Sequence, residues 1–583
     1  MNRPSPAIVA QSAVRPLPRL ILLLVCVVYV MTGFVGREPW KNADIVGFGF
    51  MQQLAQGQSD PWHPMLLDQA ASQGVVLPYW LGAGAMQLAP DWIPLDFAAR
   101  VPFALLLALA LCCTWYAVYH LARDPQAQPV SFAFGGEASP KDYARALADG
   151  GLLALIACLG LGQIGHETSP ALVDLAMFSL IFYGATAGPS VRGWPILATV
   201  AGIVGLTLNG AMIPAWLLSI GACLLAWPRP VRASGASFER RLSDKLPSGW
   251  HTGWQLPAAV AGGLAASVFL LNWHTTLPSD PIAALSHGLA YWTTADAWRS
   301  WGRLLLWFTW PTWLLALWAL WRWRWQVLQR HIALPLWFGL VALGTAFLRN
   351  GDDRTLLAAL PALAALAAFA LPTLQRTFSA LIDWFTLLFF SGCAIFAWLA
   401  WIALQTGWPP KIHHNVIRLV PGYEPAVGVL ALAAGLAVTI AWIWLVRWRI
   451  GRHRPVIWKS LVLPASGAAL CWVLLLTLWL SPVDFARSYQ QQMARLAPLL
   501  TAQSSCIEVH GLTSAQVAAV QFYGRYPVKK AGDGANCAYL ITTPRAQLAL
   551  PYRDAGHRWS LIEPVQRLAD RREDMLLFRR IPG

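Results

Sequence analysis

The chain has 583 residues, of which 57% are hydrophobic and 12% charged, and its mean hydropathy is +0.48. A soluble domain carries about a quarter charged residues, and repeated apolar stretches of about 18 residues or more are the signature of transmembrane helices, so a soluble globular protein is excluded. The net charge of +15 does not imply a nucleic-acid partner, because the cations cluster in short loops between apolar runs, as the positive-inside rule requires.

In chain order, basic residues Arg3, Arg15 and Arg19 precede the first apolar run, and no small-residue cleavage site follows it, so a retained first span is expected. About thirteen spans are predicted, centred on 20–36, 98–121, 148–165, 170–187, 191–208, 210–227, 256–272, 304–321, 332–348, 356–374, 381–404, 425–446 and 459–480. Alternate loops hold Arg123, Lys141 and Arg145, then Arg192, Arg229 to Lys245, Arg322 to Arg330, Arg376, and Arg447 to Lys459. That side is read as cytoplasmic, which puts the N-terminus inside and the C-terminus outside. Trp307, Trp310, Trp321, Trp442 and Trp448 flank spans, as in interfacial aromatic belts. The expected setting is therefore a membrane crossed many times, with membrane lipids as partners.

The opposite set of loops carries most of the polar residues that topology does not explain. The first loop, 37–97, opens with Arg37-Glu38-Pro39-Trp40-Lys41-Asn42-Ala43-Asp44 and reads as a polar segment holding Asp44, Asp60, Asp68, Asp91 and Asp96. Glu167 follows the third span, and Asp174 lies one turn into the fourth, where an acid is costly unless paired or lining a cavity. Arg354, with Arg349 as a weaker partner, precedes a span on the side that the positive-inside rule disfavours, and a guanidinium binds phosphate bidentately. His274 and His287 lie in the loop 273–303 and could hold a divalent metal ion with Glu167 or Asp44, although no metal-ligand spacing supports it. Residues 485–583 read as a separate small α/β module. Its expected elements are a helix over 492–500, strands at Cys506–His510, Ala538–Thr542 and Met575–Phe578, and a helix over Thr513–Tyr523. Cys506 and Cys537 stand at strand starts in an oxidising compartment and are expected to pair.

Three stretches carry a resemblance. Pro39-Trp-Lys-Asn-Ala-Asp44 with Met51-Gln-Gln-Leu-Ala-Gln-Gly57 and Leu77-Pro-Tyr-Trp80 is one. Trp307-Phe-Thr-Trp-Pro311 through Trp321 is the second, and Arg354-Thr-Leu-Leu-Ala-Ala-Leu-Pro361-Ala-Leu-Ala is the third. Their order resembles the bacterial polyprenyl-phosphate sugar transferases of the GT-C fold, the family of aminoarabinose transferase and protein O-mannosyltransferase. Two departures stand out: the family's acidic pair is Ala43-Asp44 here, and its Lys-bearing turn is Gln73-Gly-Val-Val-Leu-Pro78.

The resemblance implies an all-α polytopic membrane protein of GT-C fold with a small C-terminal α/β periplasmic domain. It implies transfer of a monosaccharide from a polyprenyl-phosphate donor to a lipid A-like glycolipid, a glycan or a protein. Asp44 is then the expected catalytic base, with Glu167 or Asp174 as a second acid. Arg354, Arg349, Lys41 and Tyr79 are expected at the lipid phosphate. The alternatives are a transporter or flippase of lipid-linked sugars, which needs charges deep in several spans, or an assembly subunit without activity.

Overall fold

The computed structural model describes residues 5–72, 74–226, 254–274, 290–451, 456–500, 506–532, 536–549 and 558–581. Helix α1 (Arg19–Phe34) leads into the first loop. That loop is not simply polar: it holds α2 (Ala43–Ala55), a hairpin of β1 (Met65–Leu66) and β2 (Gln69–Ala70), and α3 (Leu77–Leu88). Then come α4 (Leu95–Ala122), α5 (Pro140–Ala157), α6 (Leu159–Ile164), α7 (Pro170–Ala187), α8 (Trp194–Thr207), α9 (Met212–Ala226) and α10 (Gln255–His274). They are followed by α11 (Ala295–Phe308), α12 (Thr312–Arg322), α13 (Arg330–Leu348), the helical run α14 (Asp353–Thr373), α15 (Arg376–Thr406), α16 (Pro410–Leu419), α17 (Val429–Gly451) and α18 (Lys459–Thr477).

Each expected span coincides with a helix, and two of them are broken. Among the described residues seven helices are long and apolar enough to cross a membrane, or eight if α11 and α12 count as one, and four shorter apolar helices accompany them. This is a multi-pass membrane protein. The span expected at 304–321 turns by 89° between α11 and α12. Pro311 lacks the N–H that would continue the helix and restricts the residue before it. The span expected at 148–165 stops at Cys158, whose backbone is extended, and restarts as α6, where Gly160 and Gly162 lower helix propensity.

Helix α14 is the centre of the bundle: 94% of its apolar window is buried, including every residue from Leu360 to Ala370. Hydrocarbon gives helices little hydrophobic reason to associate, so close packing of small residues has to hold them. The alanines along this stretch let α5, α12 and α13 approach it.

The described loops that touch one another fall within the two sets that the charges separated, and the basic loop Arg229 to Lys245 lies outside the described residues. On one face the N-terminal strap meets the basic loops: Gln11 donates to Gly136 and Asp142, Arg19 pairs with the buried Asp149 at 2.8 Å, and Trp458 donates to the Arg15 carbonyl. On the other face the first loop, 165–169, 349–353 and the C-terminal segment come together.

That segment begins with α19 (Leu480–Arg487) and α20 (Gln490–Leu496) and ends in a five-stranded mixed sheet. The strands are β3 (Ile507–His510), β4 (Val528–Lys530), β5 (Tyr539–Thr542), β6 (Arg558–Val565) and β7 (Met575–Ile581), in the order β4-β3-β5-β7-β6. β3 runs parallel to β4 and β5, whereas β7 is antiparallel to β5 and β6. Strands β4 and β6 were not expected. β4 is three residues long, and β6 contains Pro564, which an edge strand tolerates. Cys506 and Cys537 form the expected disulfide. Helix α21 (Ser514–Gly524) starts in a Thr513–Gln516 capping box. It packs on α2, with Phe522 edge-on to Phe48 at 4.6 Å, and the sheet module thereby roofs the first loop.

Candidate active site

Asp44 sits in the first turn of α2, entered through Asn42 at φ 73°, a conformation that non-glycine residues seldom adopt. Such strain persists only where the surroundings over-determine it. The Asp44 carboxylate is buried at 3% exposure. Its Oδ1 accepts from the Thr168 backbone N–H at 2.8 Å and from the Thr168 hydroxyl at 3.1 Å. Its Oδ2 lies 2.7 Å from Arg37 Nη2 and takes no hydrogen bond, so that contact is ionic only.

Arg37 is itself 2% exposed. Its Nη2 donates to the His166 carbonyl at 3.0 Å, and its guanidinium lies 4.4 Å from the centre of the Trp40 ring. Arg37 Nε and Nη1 and the Ser169 hydroxyl have no hydrogen-bond partner among the described residues. A buried polar group left unpaired costs about 1–3 kcal/mol, so these atoms are exceptional and stand ready for a polar ligand.

Two glycines allow this convergence. A Cβ on Gly33 of α1 would stand 2.1 Å from the His166 ring, and one on Gly47 of α2 would stand 2.7 Å from the Thr168 carbonyl oxygen. The chain segment 166–169 is thereby pressed between α1 and α2. His166 is fully buried, with its ring nitrogens 2.5 and 3.0 Å from the carbonyls of Gly162 and Tyr29. Burial pushes its imidazole down to about 4, so it is neutral and serves to position the turn.

Glu167, one residue before Thr168, accepts from Arg354 Nε at 3.1 Å and Nη2 at 3.0 Å through a single oxygen. Burial raises its carboxyl and the Asp44 charge raises it further, while Arg354 and Arg37 pull it down. The Arg354 side chain remains 36% exposed. Two acids and two guanidinium groups thus share one corner: Arg37–Asp44 buried, Glu167–Arg354 opening outward.

The other expected residues are elsewhere. Asp174 accepts from Asn209 Nδ2 at 2.6 Å, and Asn209 also donates to the Pro170 carbonyl. It anchors the α8–α9 turn, on which Val75 at the end of the first loop forms a bridge. Arg349 is exposed at the end of α13. Lys41 pairs with Asp570 at 3.0 Å and lies 3.6 Å from Glu573, so it ties the first loop to the sheet module and stands outside the corner of four charges. Tyr79 packs on Phe50, six residues beyond Asp44 along α2, and burial pushes its phenol up to about 12.

The metal reading gains no support. His287 and the side chain of His274 lie outside the described residues. Among the described residues no group of three or more His, Cys, Asp or Glu could hold a metal ion. Asp44 and Glu167 each face a guanidinium, so a cation would have to displace both, and no step is routed through one.

Arg37, Thr168 and Ser169 were missed from the sequence. Arg37 carried a usable signal, because it follows the first span on the side that disfavours cations, the argument that found Arg354. Thr168 carried none, since its backbone N–H contributes as much as its hydroxyl.

The sequence matches no family profile and no curated protein. Among solved structures it superposes on ArnT from Cupriavidus metallidurans bound to undecaprenyl phosphate. The TM-score is 0.56 at 16% identity, over 96% of this chain and 97% of that one. The apo state of the same protein gives 0.54 at 14% identity, with the same coverage. This chain has the GT-C fold. At such identity the likeness is one of fold, and the GT-C fold assigns no role to individual residues.

Proposed function

We propose that the chain is an integral membrane glycosyltransferase that moves a sugar from a polyprenyl-phosphate donor to an acceptor hydroxyl or amine. The observation that carries this is the buried pair of Asp44, with one oxygen free of hydrogen bonds, and Arg37, with two unspent donors, beside the half-exposed Arg354. A related fold in ArnT bound to undecaprenyl phosphate supports the donor class.

In the reaction the acceptor oxygen or nitrogen attacks the sugar C1, and the C1–O bond to phosphate breaks. The acceptor's proton passes to Asp44, and the bonding electrons leave with polyprenyl phosphate. Arg354 releases Glu167 to grip that phosphate bidentately, and Arg37 adds donors from the buried side. Glu167, whose carboxyl is raised, takes a proton more readily than an ordinary glutamate and so tolerates losing its arginine. Thr168 fixes the angle at which Asp44 is presented.

In this reading the site faces the periplasm, the chain lies in a bacterial inner membrane, and the acceptor is a lipid, glycan or protein. The test is consumption of a radiolabelled polyprenyl-phosphate sugar by the purified protein in lipid nanodiscs. Glu167→Gln should slow it, and no consumption with any donor sugar would reject the enzyme reading in favour of a transporter or an inactive subunit.

A further inference from the structure

A cavity of about 360 Å³ is lined by Gly36 and Glu38, the chain neighbours of Arg37. Small-molecule sites begin at about 300 Å³. The cavity and the corner share the first loop: Glu38 lines the cavity, next in sequence to Arg37. They are also joined through Trp40, whose ring lies under the Arg37 guanidinium and whose Nε1 donates to Asp484 at 2.7 Å, and Asp484 lines the cavity. The remaining wall comes from the ends of α15, α17 and α18, from the segment 423–428, and from α19 and α20.

The chemistry of this wall differs from that of the corner. Among the described residues no Lys, Arg or His lines it, so a phosphate or carboxylate finds no cation in that wall. It offers two acids, Glu38 and Asp484, and two amides, Gln490 and Gln491. Carboxylates only accept hydrogen bonds and amides do both, which suits a ligand rich in hydroxyl or amine donors. The same lining includes the rings of Trp401, Tyr423 and Phe485; Tyr423 and Phe485 meet edge-on at 5.4 Å, and the Tyr423 hydroxyl donates to Ser481 at 2.9 Å. Aromatic rings and hydrogen-bonding acids lining one cavity fit a molecule with an apolar flank and a polar rim, which describes a pyranose. Gly428 and Ala431 line the cavity at the start of α17, and between them in the chain Val429 and Leu430 are 77% and 87% exposed and fit a lipid-facing edge. A sugar carried on a lipid can reach it from the membrane surface.

We infer that this cavity binds a pyranose bearing hydroxyl or amine groups and no phosphate or carboxylate, the accepting sugar of a membrane glycolipid. The inference rests on the glycosyltransferase reading and divides the substrates: donor phosphate at Arg37 and Arg354, acceptor ring at Glu38 and Asp484. Burial pushes the Asp484 carboxyl up to about 7, so near neutrality it can donate to a hydroxyl or pair with an amine.

Saturation-transfer difference NMR tests this on the full-length protein in nanodiscs made without sugar detergents. The probes are methyl β-glucopyranoside, methyl β-glucosaminide and glucose 1-phosphate. The first two should receive saturation from the parent protein. Ala431→Phe, which fills the cavity from α17, should weaken their binding by at least about tenfold and leave the glucose 1-phosphate signal unchanged. Gln491→Leu, at an exposed position, is a second variant that spares the helix and should act in the same direction. Equal glycoside signals from parent and variants, or no glycoside signal from the parent, would overturn the site. A protein that consumes donor while Ala431→Phe binds glycosides normally sinks this inference alone. One that binds glycosides here yet never consumes donor sinks the enzyme reading instead.

Discussion

Adding one methyl group at Gly47 should uncouple Asp44 from Thr168. The new Cβ would stand 2.7 Å from the Thr168 carbonyl oxygen, a backbone atom that cannot rotate away. Restoring contact at about 3.4 Å needs a shift of about 0.7 Å between α2 and the 166–169 segment. Asp44 lies three residues before Gly47, on the same helix face, and moves with it. Its 2.8 Å bond to the Thr168 N–H then lengthens to the edge of hydrogen bonding. Overpacking of this kind costs about 1–3 kcal/mol. A 1 Å misplacement of a reacting group can cost about 100-fold, so Gly47→Ala should lower donor turnover by about 10- to 100-fold. The assay is donor consumption in nanodiscs at saturating donor, with the thermal unfolding midpoint measured alongside. Gly84→Ala on α3, where a Cβ meets nothing within 4 Å, is the control: it should leave turnover at the parental value and should not lower the unfolding midpoint. A folded Gly47→Ala protein with parental turnover would refute the coupling of Asp44 to Thr168.

Three further outcomes are expected. Arg354→Ala should weaken donor binding as well as turnover, because phosphate is present in ground and transition states alike; a donor KM within twofold of the parent's would count against a phosphate contact there. Asp484 has a carboxyl raised from 3.8 to about 7 by burial, so the folded state binds its proton more tightly than the unfolded chain does. That stability is fully present below about pH 4 and is lost as pH rises through about 7; Asp484→Asn should flatten the fall in unfolding midpoint between pH 5 and pH 8, and an unchanged slope would remove Asp484 as its source. Reporter fusions at Ser234 and Gly583 should lie on opposite sides of the membrane, and the same side for both would break the topology.

What the sequence made legible was whatever composition and charge control. The alternation of basic loops anticipated which loops meet on which face, and the Arg37–Asp44–Thr168 and Glu167–Arg354 contacts join loops that it assigned to one side. Acid and guanidinium at helix ends on that side were readable as candidates because topology gave them no other task. Contacts that depend on backbone approach were not readable. Gly47 matters through a carbonyl more than a hundred residues away, and nothing in its neighbours announces that. Helix α2 was hidden for a related reason: Gly47 and Gly49 lower its propensity, and it forms because its apolar residues are clamped between the 166–169 turn and α21. Glu167 and Asp174 could not be told apart in the sequence, since they lie seven residues apart on either side of the start of α7; only Glu167 meets Arg354, whereas Asp174 meets Asn209. The cavity was invisible because its walls come from segments scattered from Gly36 to Gln491.

In the proposed reaction Asp44 accepts the proton of the attacking group. Asp44→Asn keeps the side chain's size and an oxygen for Thr168 while removing the basic carboxylate. Single-turnover transfer from a radiolabelled polyprenyl-phosphate sugar, with donor binding measured separately, tests it most directly. The expected result is a fall of about 10²–10⁴ in the transfer rate, the usual contribution of a general base, with donor binding within a few-fold of the parent's. Transfer at the parental rate by Asp44→Asn would contradict the claim.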